Sequence, residues 1–134
     1  MKLFFKSKDG GPDSSVTGYW LIESKRFFSI VLLKFDGRSR EAYHTHAFNA
    51  WSWVLTGDSL FEQTLEDQRH RYMEVSRRYT PSLKPIYTPR KRLHKVSSMG
   101  TTWVLSFRGP WSKTWKEINQ HGEQTFSHGR KVVS

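Results

Sequence analysis

Short runs of β-branched and aromatic residues, cut about every 8–12 residues by glycine, proline or aspartate, set the limits on what this chain can fold into. Residues 19–22, 27–35, 49–55, 59–64, 93–96 and 101–107 are strand candidates. The run 27–35 is the strongest, since it is rich in Phe, Ile, Val and Leu and free of Gly and Pro. Asp36 with Gly37, Gly57 with Asp58, and Gly109 with Pro110 supply turns between them. Pro81, Pro85 and Pro89 belong at strand ends or in loops, because proline cannot donate to a ladder. Residues 111–118 are the last strand candidate, and residues 65–82 read as a polar stretch. No segment carries a helical period, no internal repeat is present, and no linker divides the 134 residues. These features predict one all-β domain, a sandwich or barrel. Residues 1–18 read as a flexible lead-in, 19–118 as the folded domain, and 119–134 as a loosely held basic tail.

Composition narrows the function classes. There is no cysteine, which removes disulfides, thiolate zinc sites and cysteine nucleophiles. The apolar runs are too short for a membrane span, and residues 1–6 are too short for a signal peptide, so a reducing cytoplasm is the expected location. No P-loop, dinucleotide-binding fingerprint or G-x-S-x-G elbow occurs. Lys and Arg number 22 against 12 Asp and Glu, for a net charge of +10. Nine of those cations fall between Arg69 and Lys95, interleaved with Tyr72, Tyr79 and Tyr87. Cations neutralise phosphates and aromatics stack on bases, so nucleic acid is one candidate partner. Arg90, Lys91 and Arg92 are the candidate anion-binding residues, and the same charge would equally attract a small anionic substrate.

His44 and His46 are one residue apart in an extended context, so both imidazoles face one way. His94 lies in a second strand candidate behind Pro89. Three imidazoles on facing strands make a candidate metal site with open positions for water or substrate. Imidazole suits several transition metals, so the donors alone do not choose among Fe, Ni, Mn and Zn. His70, His121 and His128 have no partner spacing and read as surface residues. Glu41 precedes His44 by an odd step and reads as facing away from it.

The segment 37–57 resembles the first motif of the cupin superfamily, G-x5-H-x-H-x3-4-E-x6-G, with Gly37, His44, His46 and Gly57 in place and one extra residue after Gly37. Pro89 and His94 match the second motif, P-x-G-x2-H-x3-N, at its spacing, while Lys91 and Ser98 replace its glycine and asparagine. The chain is also similar to small cupin-like proteins of phages and bacteria, through residues 26–30, residues 103–110 and Trp115.

The resemblance implies a double-stranded β-helix, a small jelly-roll barrel, with His44, His46 and His94 as ligands of one divalent metal, iron favoured. The motif's glutamate should fall at Ala50 or Trp51, so the carboxylate ligand is missing. That pattern looks like the three-histidine cupins, which include thiol dioxygenases. It implies a mononuclear non-haem oxygenase acting on a small molecule, with an isomerase as the nearest relative in chemistry. Trp51, Trp53, Glu62 and Arg92 are the candidate substrate-binding residues. The opposing expectation is a degenerate barrel without metal, serving as a basic binding module for nucleic acid or an acidic partner. Cupin barrels also pair through their sheets, which makes a homodimer a further expectation.

Overall fold

A computed structural model of the chain describes residues 1–9, 14–38, 43–68, 71–119, 122–127 and 131–133. Among them are twelve strands and no helix: β1 (Lys2–Lys8), β2 (Val16–Glu23), β3 (Ser29–Arg38), β4 (Tyr43–His44), β5 (Ala50–Thr56), β6 (Ser59–Gln68), β7 (Arg71–Tyr79), β8 (Ile86–Thr88), β9 (Leu93–Arg108), β10 (Thr114–Asn119), β11 (Gly122–Ser127) and β12 (Lys131–Val132). The described residues therefore contain no helix long and apolar enough to cross a membrane.

The fold is built around β9. Its second half lies between β3 and β5, with Leu105 opposite both Leu32 and Trp53. Its first half pairs with β6, where Val96 faces Glu62, and touches β4 through His94 and His44. One layer is thus β1-β2-β3-β9-β5-β8, and the other is β7-β6-β9-β4-β10-β11-β12. Alternation along β9 is strict from Thr101 to Arg108, and His94 is the buried residue of its first half. His94, Thr102, Val104, Ser106 and Arg108 are buried, while Trp103 and Leu105 are half-buried and Phe107 is exposed. Val31, Leu33 and Phe35 of β3 meet Val16, Trp20, Val54, Leu60 and Val104 in the main core. A second cluster of Ala47, Phe48 and Ala50, covered by Trp111 and Trp115, sits beside the histidines.

Five expectations change. The runs 93–96 and 101–107 are one continuous strand, because Gly100 takes φ +68° and lets β9 turn without breaking. The lead-in carries β1, whose residues are almost all exposed and show no buried alternation. Its register is held by backbone pairing with β2 and by Phe5 stacked on Trp20 at 5.5 Å. The polar stretch 65–82 completes the β6–β7 hairpin. Charged residues suit β7, which pairs only with β6 among the described strands, because charge blunts an edge. The tail contributes β11, which pairs with β10 residue for residue from Thr114 opposite Ser127 to Asn119 opposite Gly122. The run 111–118 begins as a strand only at Thr114, with Trp111 packed on Phe48 before it. Glu41, His70, His121 and His128 lie outside the described residues.

Candidate metal centre

Local backbone contacts fix the histidine pair. β4 lies between β9 and β10, with His44 opposite both His94 and Glu117. The Thr45 amide donates to the Lys116 carbonyl at 2.8 Å, and the Lys116 amide donates to Thr45 Oγ1 at 2.8 Å. The His46 amide donates to the Arg90 carbonyl at 3.0 Å, and the Arg90 amide donates to Asn49 Oδ1 at 2.8 Å. The strand face on which both imidazoles project is therefore pinned from two sides.

The rings of His44, His46 and His94 form a nearly equilateral triangle, with centroids 4.8 to 4.9 Å apart and each pair edge-on. One nitrogen from each lies within 4.8 Å of the others, so the trio could hold one metal ion. His94 Nε2 and His46 Nε2 are 3.3 Å apart. Two nitrogens bound to one ion at about 2.1 Å would stand roughly 3.0–3.4 Å apart, so this pair already fits. His44 and His94 are buried, and His46 is half-buried.

Glu62, on β6, decides the tautomer. Its Oε2 lies 2.7 Å from His94 Nδ1, and a carboxylate can only accept there. A proton therefore sits on Nδ1, which leaves Nε2 as the ring nitrogen that faces the shared centre. Burial opposes charge on Glu62, but the His94 hydrogen bond and charge, with Arg92 and Arg77, outweigh it and hold the carboxyl below its ordinary range. Tyr79 donates its hydroxyl to Glu62 Oε1 at 3.4 Å, and burial followed by the Glu62 charge pushes that phenol up. Arg92 Nη1 stands 3.8 Å from the same oxygen. Such outer partners orient a ligating imidazole and raise its basicity.

The trio opens into a cavity of about 700 Å³ between the two layers, within the range of small-molecule sites. Glu62 and the three histidines line it together with Leu33, Val104 and other apolar core side chains. Phe48 stacks on His46 at 5.0 Å and covers one wall.

Not every residue singled out from sequence reaches this cavity. Trp51 is exposed and packs on Tyr87 at 4.7 Å, and Trp53 packs on Phe107 at 5.5 Å. Both point outward, contrary to expectation. Alternation on β5 sends Ala50, Ser52 and Val54 inward, so Ala50 holds the place of the missing glutamate and leaves space there. Arg92 does not line the cavity; it supports Glu62 and donates to the Tyr87 carbonyl at 3.4 Å. The side chains of Arg90 and Lys91 are exposed, and it is the Arg90 backbone that serves the site. Arg108, Asp9 and Phe48 line the cavity without having been singled out, and Tyr79, read from sequence only as part of the basic aromatic stretch, lines it as well. The two-residue alternation from Thr102 through Val104 and Ser106 was the available signal for Arg108, hidden because the strand read from sequence stops at residue 107.

No protein-family model matches the sequence, and no curated protein matches it. Solved structures do. A sugar phosphate isomerase of the cupin superfamily from Silicibacter pomeroyi is similar over 100% of this chain and 97% of its own, at 10% identity and a TM-score of 0.54. KdgF from Halomonas is similar over 81% and 94%, at 12% identity and a TM-score of 0.51. The Fe(II) form of HppE in complex with substrate is similar over 78% of this chain at 12% identity and a TM-score of 0.57, and this chain spans 56% of its length. With the strand order above, these likenesses define the fold: an all-β double-stranded β-helix of the cupin type, with a three-histidine cluster facing its cavity.

Proposed function

We propose that this chain is a mononuclear non-haem metal enzyme acting on a small molecule in the barrel cavity, with His44, His46 and His94 as the ligands and oxygenase chemistry as its reaction class. The observation that carries this reading is the convergence of three imidazoles at the wall of a cavity, one of them set by a buried carboxylate into the tautomer a metal requires. The Fe(II) of HppE favours iron. The sugar phosphate isomerase makes isomerisation the neighbouring alternative on the same scaffold. A bound divalent metal would supply Lewis acidity and, as iron, a redox centre for dioxygen.

The chain's own residues do the rest. Glu62 keeps the proton on His94 Nδ1, with Tyr79 and Arg92 steadying the carboxylate. Phe48 fixes the plane of His46. Apolar walls exclude water and accept the body of the substrate. With three neutral ligands and no carboxylate among them, the metal's charge is left for the substrate to balance.

Elemental analysis of untagged protein after reconstitution tests the reading. About one equivalent of transition metal is expected in the wild type, and under a tenth in His44→Ala. Equal metal in both, or none in either, would exclude the site. The alternative of a basic binding module draws only on exposed charge such as Arg90 and Lys91.

We further infer that the barrel pairs with a second copy of itself. Tyr87, Trp51, Phe107, Ile30 and Ile22 make one cross-strand row on the outer face of β8-β5-β9-β3-β2, and Trp53, Leu105, Leu32 and Tyr19 make the next. Trp51 is 49% exposed, Tyr87 42% and Phe107 39%. At about 150–250 Å² per large aromatic, those fractions leave roughly 200–300 Å² of exposed ring surface on the three residues, a contiguous apolar patch of the kind that marks an interaction site. Light scattering should find a dimer at micromolar concentration and a monomer for the double variant Trp51→Glu, Phe107→Glu. A monomeric wild type would refute the pairing.

A further inference from the structure

We propose that Arg108 anchors an oxyanion of the substrate, so that the cavity takes a small organic anion with an apolar body. The assignment rests on the cavity being the substrate site, and it concerns the wall beyond the histidines.

Arg108 is 5% exposed and lies at the inward end of β9. A straight strand from His94 to Arg108 would span about 46 Å at 3.3 Å per residue. Yet Phe48 stacks on His46 at 5.0 Å and on the Arg108 guanidinium at 4.5 Å. β9 therefore wraps the cavity and brings its two ends to one wall, with the rings of Phe48 and His46 between Arg108 and His94.

The guanidinium packs over two rings, Phe48 at 4.5 Å and Trp20 at 5.1 Å, and its N–H edges are what it offers to polar partners. Asp9 takes the end-on edge, with Nη1 donating to Oδ1 at 3.3 Å and Nη2 to Oδ2 at 2.8 Å. The side edge, formed by Nε–H and the second hydrogen of Nη2, is the other fork that matches a carboxylate or phosphate. Its Nε is buried and has no hydrogen-bond partner. Buried donors are normally satisfied, so a fork left open in the wall of a cavity points to an acceptor that arrives with a ligand.

A tether between β1 and the barrel would account for the Asp9 contact, but not for the open fork. The charged side chains lining the cavity balance, with Lys8, Lys25 and Arg108 against Asp9, Glu23 and Glu62, so the case for an anion rests on the open fork and not on the net field. The walls between Arg108 and the histidines are apolar, which selects an organic body over an inorganic ion.

The experiment uses metal-free, untagged full-length protein, with tryptophan fluorescence as the readout because Trp20 lies against the guanidinium. Benzoate and phenylphosphonate are titrated in parallel with neutral benzyl alcohol. Saturable binding of one anion is expected, at least tenfold tighter than the alcohol, and which anion binds identifies the head group. Asp9→Asn frees the guanidinium and should tighten anion binding several-fold, a gain that a purely structural ion pair does not predict. Arg108→Met should abolish binding, and Arg108→Lys, which keeps charge but not the fork, should weaken it.

Because the titrations use metal-free protein, failure of the metal site and failure of the anchor are read separately. Equal binding of alcohol and anion, or no anion binding in either wild type or a folded Asp9→Asn, would overturn the proposal. Should Asp9→Asn and Arg108→Met both fail to fold, unchanged anion affinity in Arg108→Lys would overturn it.

Discussion

His94→Ala should abolish metal binding and also destabilise the metal-free protein by about 3 kcal/mol, a combination not expected of a ligand that serves only the metal. The reason is the partner it leaves behind. Glu62 is 3% exposed, its carboxyl is held ionised, and its shortest contact is the 2.7 Å bond from His94 Nδ1. Removing one member of a buried pair strands the other without compensation. Tyr79 at 3.4 Å and Arg92 at 3.8 Å are too distant to replace that bond without moving.

The double variant His94→Ala, Glu62→Ala is therefore expected to be no less stable than His94→Ala alone, because the stranded charge has gone with its partner. Urea unfolding of the two single variants and the double, read beside metal affinity, measures this coupling. Glu62→Gln keeps the shape but not the charge, and should weaken metal binding by about 10- to 100-fold while leaving all three imidazoles in place. Additive stability losses in the double variant would mean that Glu62 and His94 do not act as a unit.

The histidines were legible in the sequence because their constraint is short-range and geometric. A one-residue gap in an extended strand puts His44 and His46 on one face whatever the rest of the chain does. Glu62 was visible as an inward candidate, but its role was not, since the pairing of Glu62 with Val96 that brings it to His94 is a long-range register.

The aromatic residues misled for a related reason. Trp51 and Trp53 look like cavity walls on hydrophobicity alone, yet they face outward, and β5 turns Ala50, Ser52 and Val54 inward instead. A sheet that carries apolar side chains on both faces defeats the rule that polar residues point out. The reverse holds on β6, where Leu60, Glu62 and Thr64 are buried and the pattern reads as polar because the interior there is a site rather than a core. The edge strands β1 and β7 and the terminal β11 carry little burial signal, and only their pairing partners reveal them.

Gly57→Ala should cost about 3 kcal/mol or more, the sum of a strained backbone and a clash, and lower the melting temperature by roughly 10 °C. Gly57 joins β5 to β6 with φ +119°. A Cβ there would meet Thr102 Oγ1 at 2.6 Å, the Thr101 carbonyl oxygen at 2.7 Å and Thr102 Cα at 2.8 Å. Two of these three are backbone atoms of β9, which cannot step aside without disturbing the strand that joins the layers. Thr102 itself is fully buried and donates to the Ser59 carbonyl at 3.4 Å, so a shift there would pass into β6 and towards Glu62.

Gly37 and Gly100 separate the two terms. Both have positive φ, +92° and +68°, and a Cβ at either would meet nothing within 4 Å. Their alanine variants should lose only the conformational part, about 1–2 kcal/mol each. Chemical denaturation of the three variants side by side is the measurement. A Gly57→Ala loss no larger than that of Gly37→Ala would show that the close approach to β9 does not constrain the turn. The larger loss would mean that the glycine closing the histidine segment is held by the strand that carries His94 and Arg108, which ties the turn to the site through the fold.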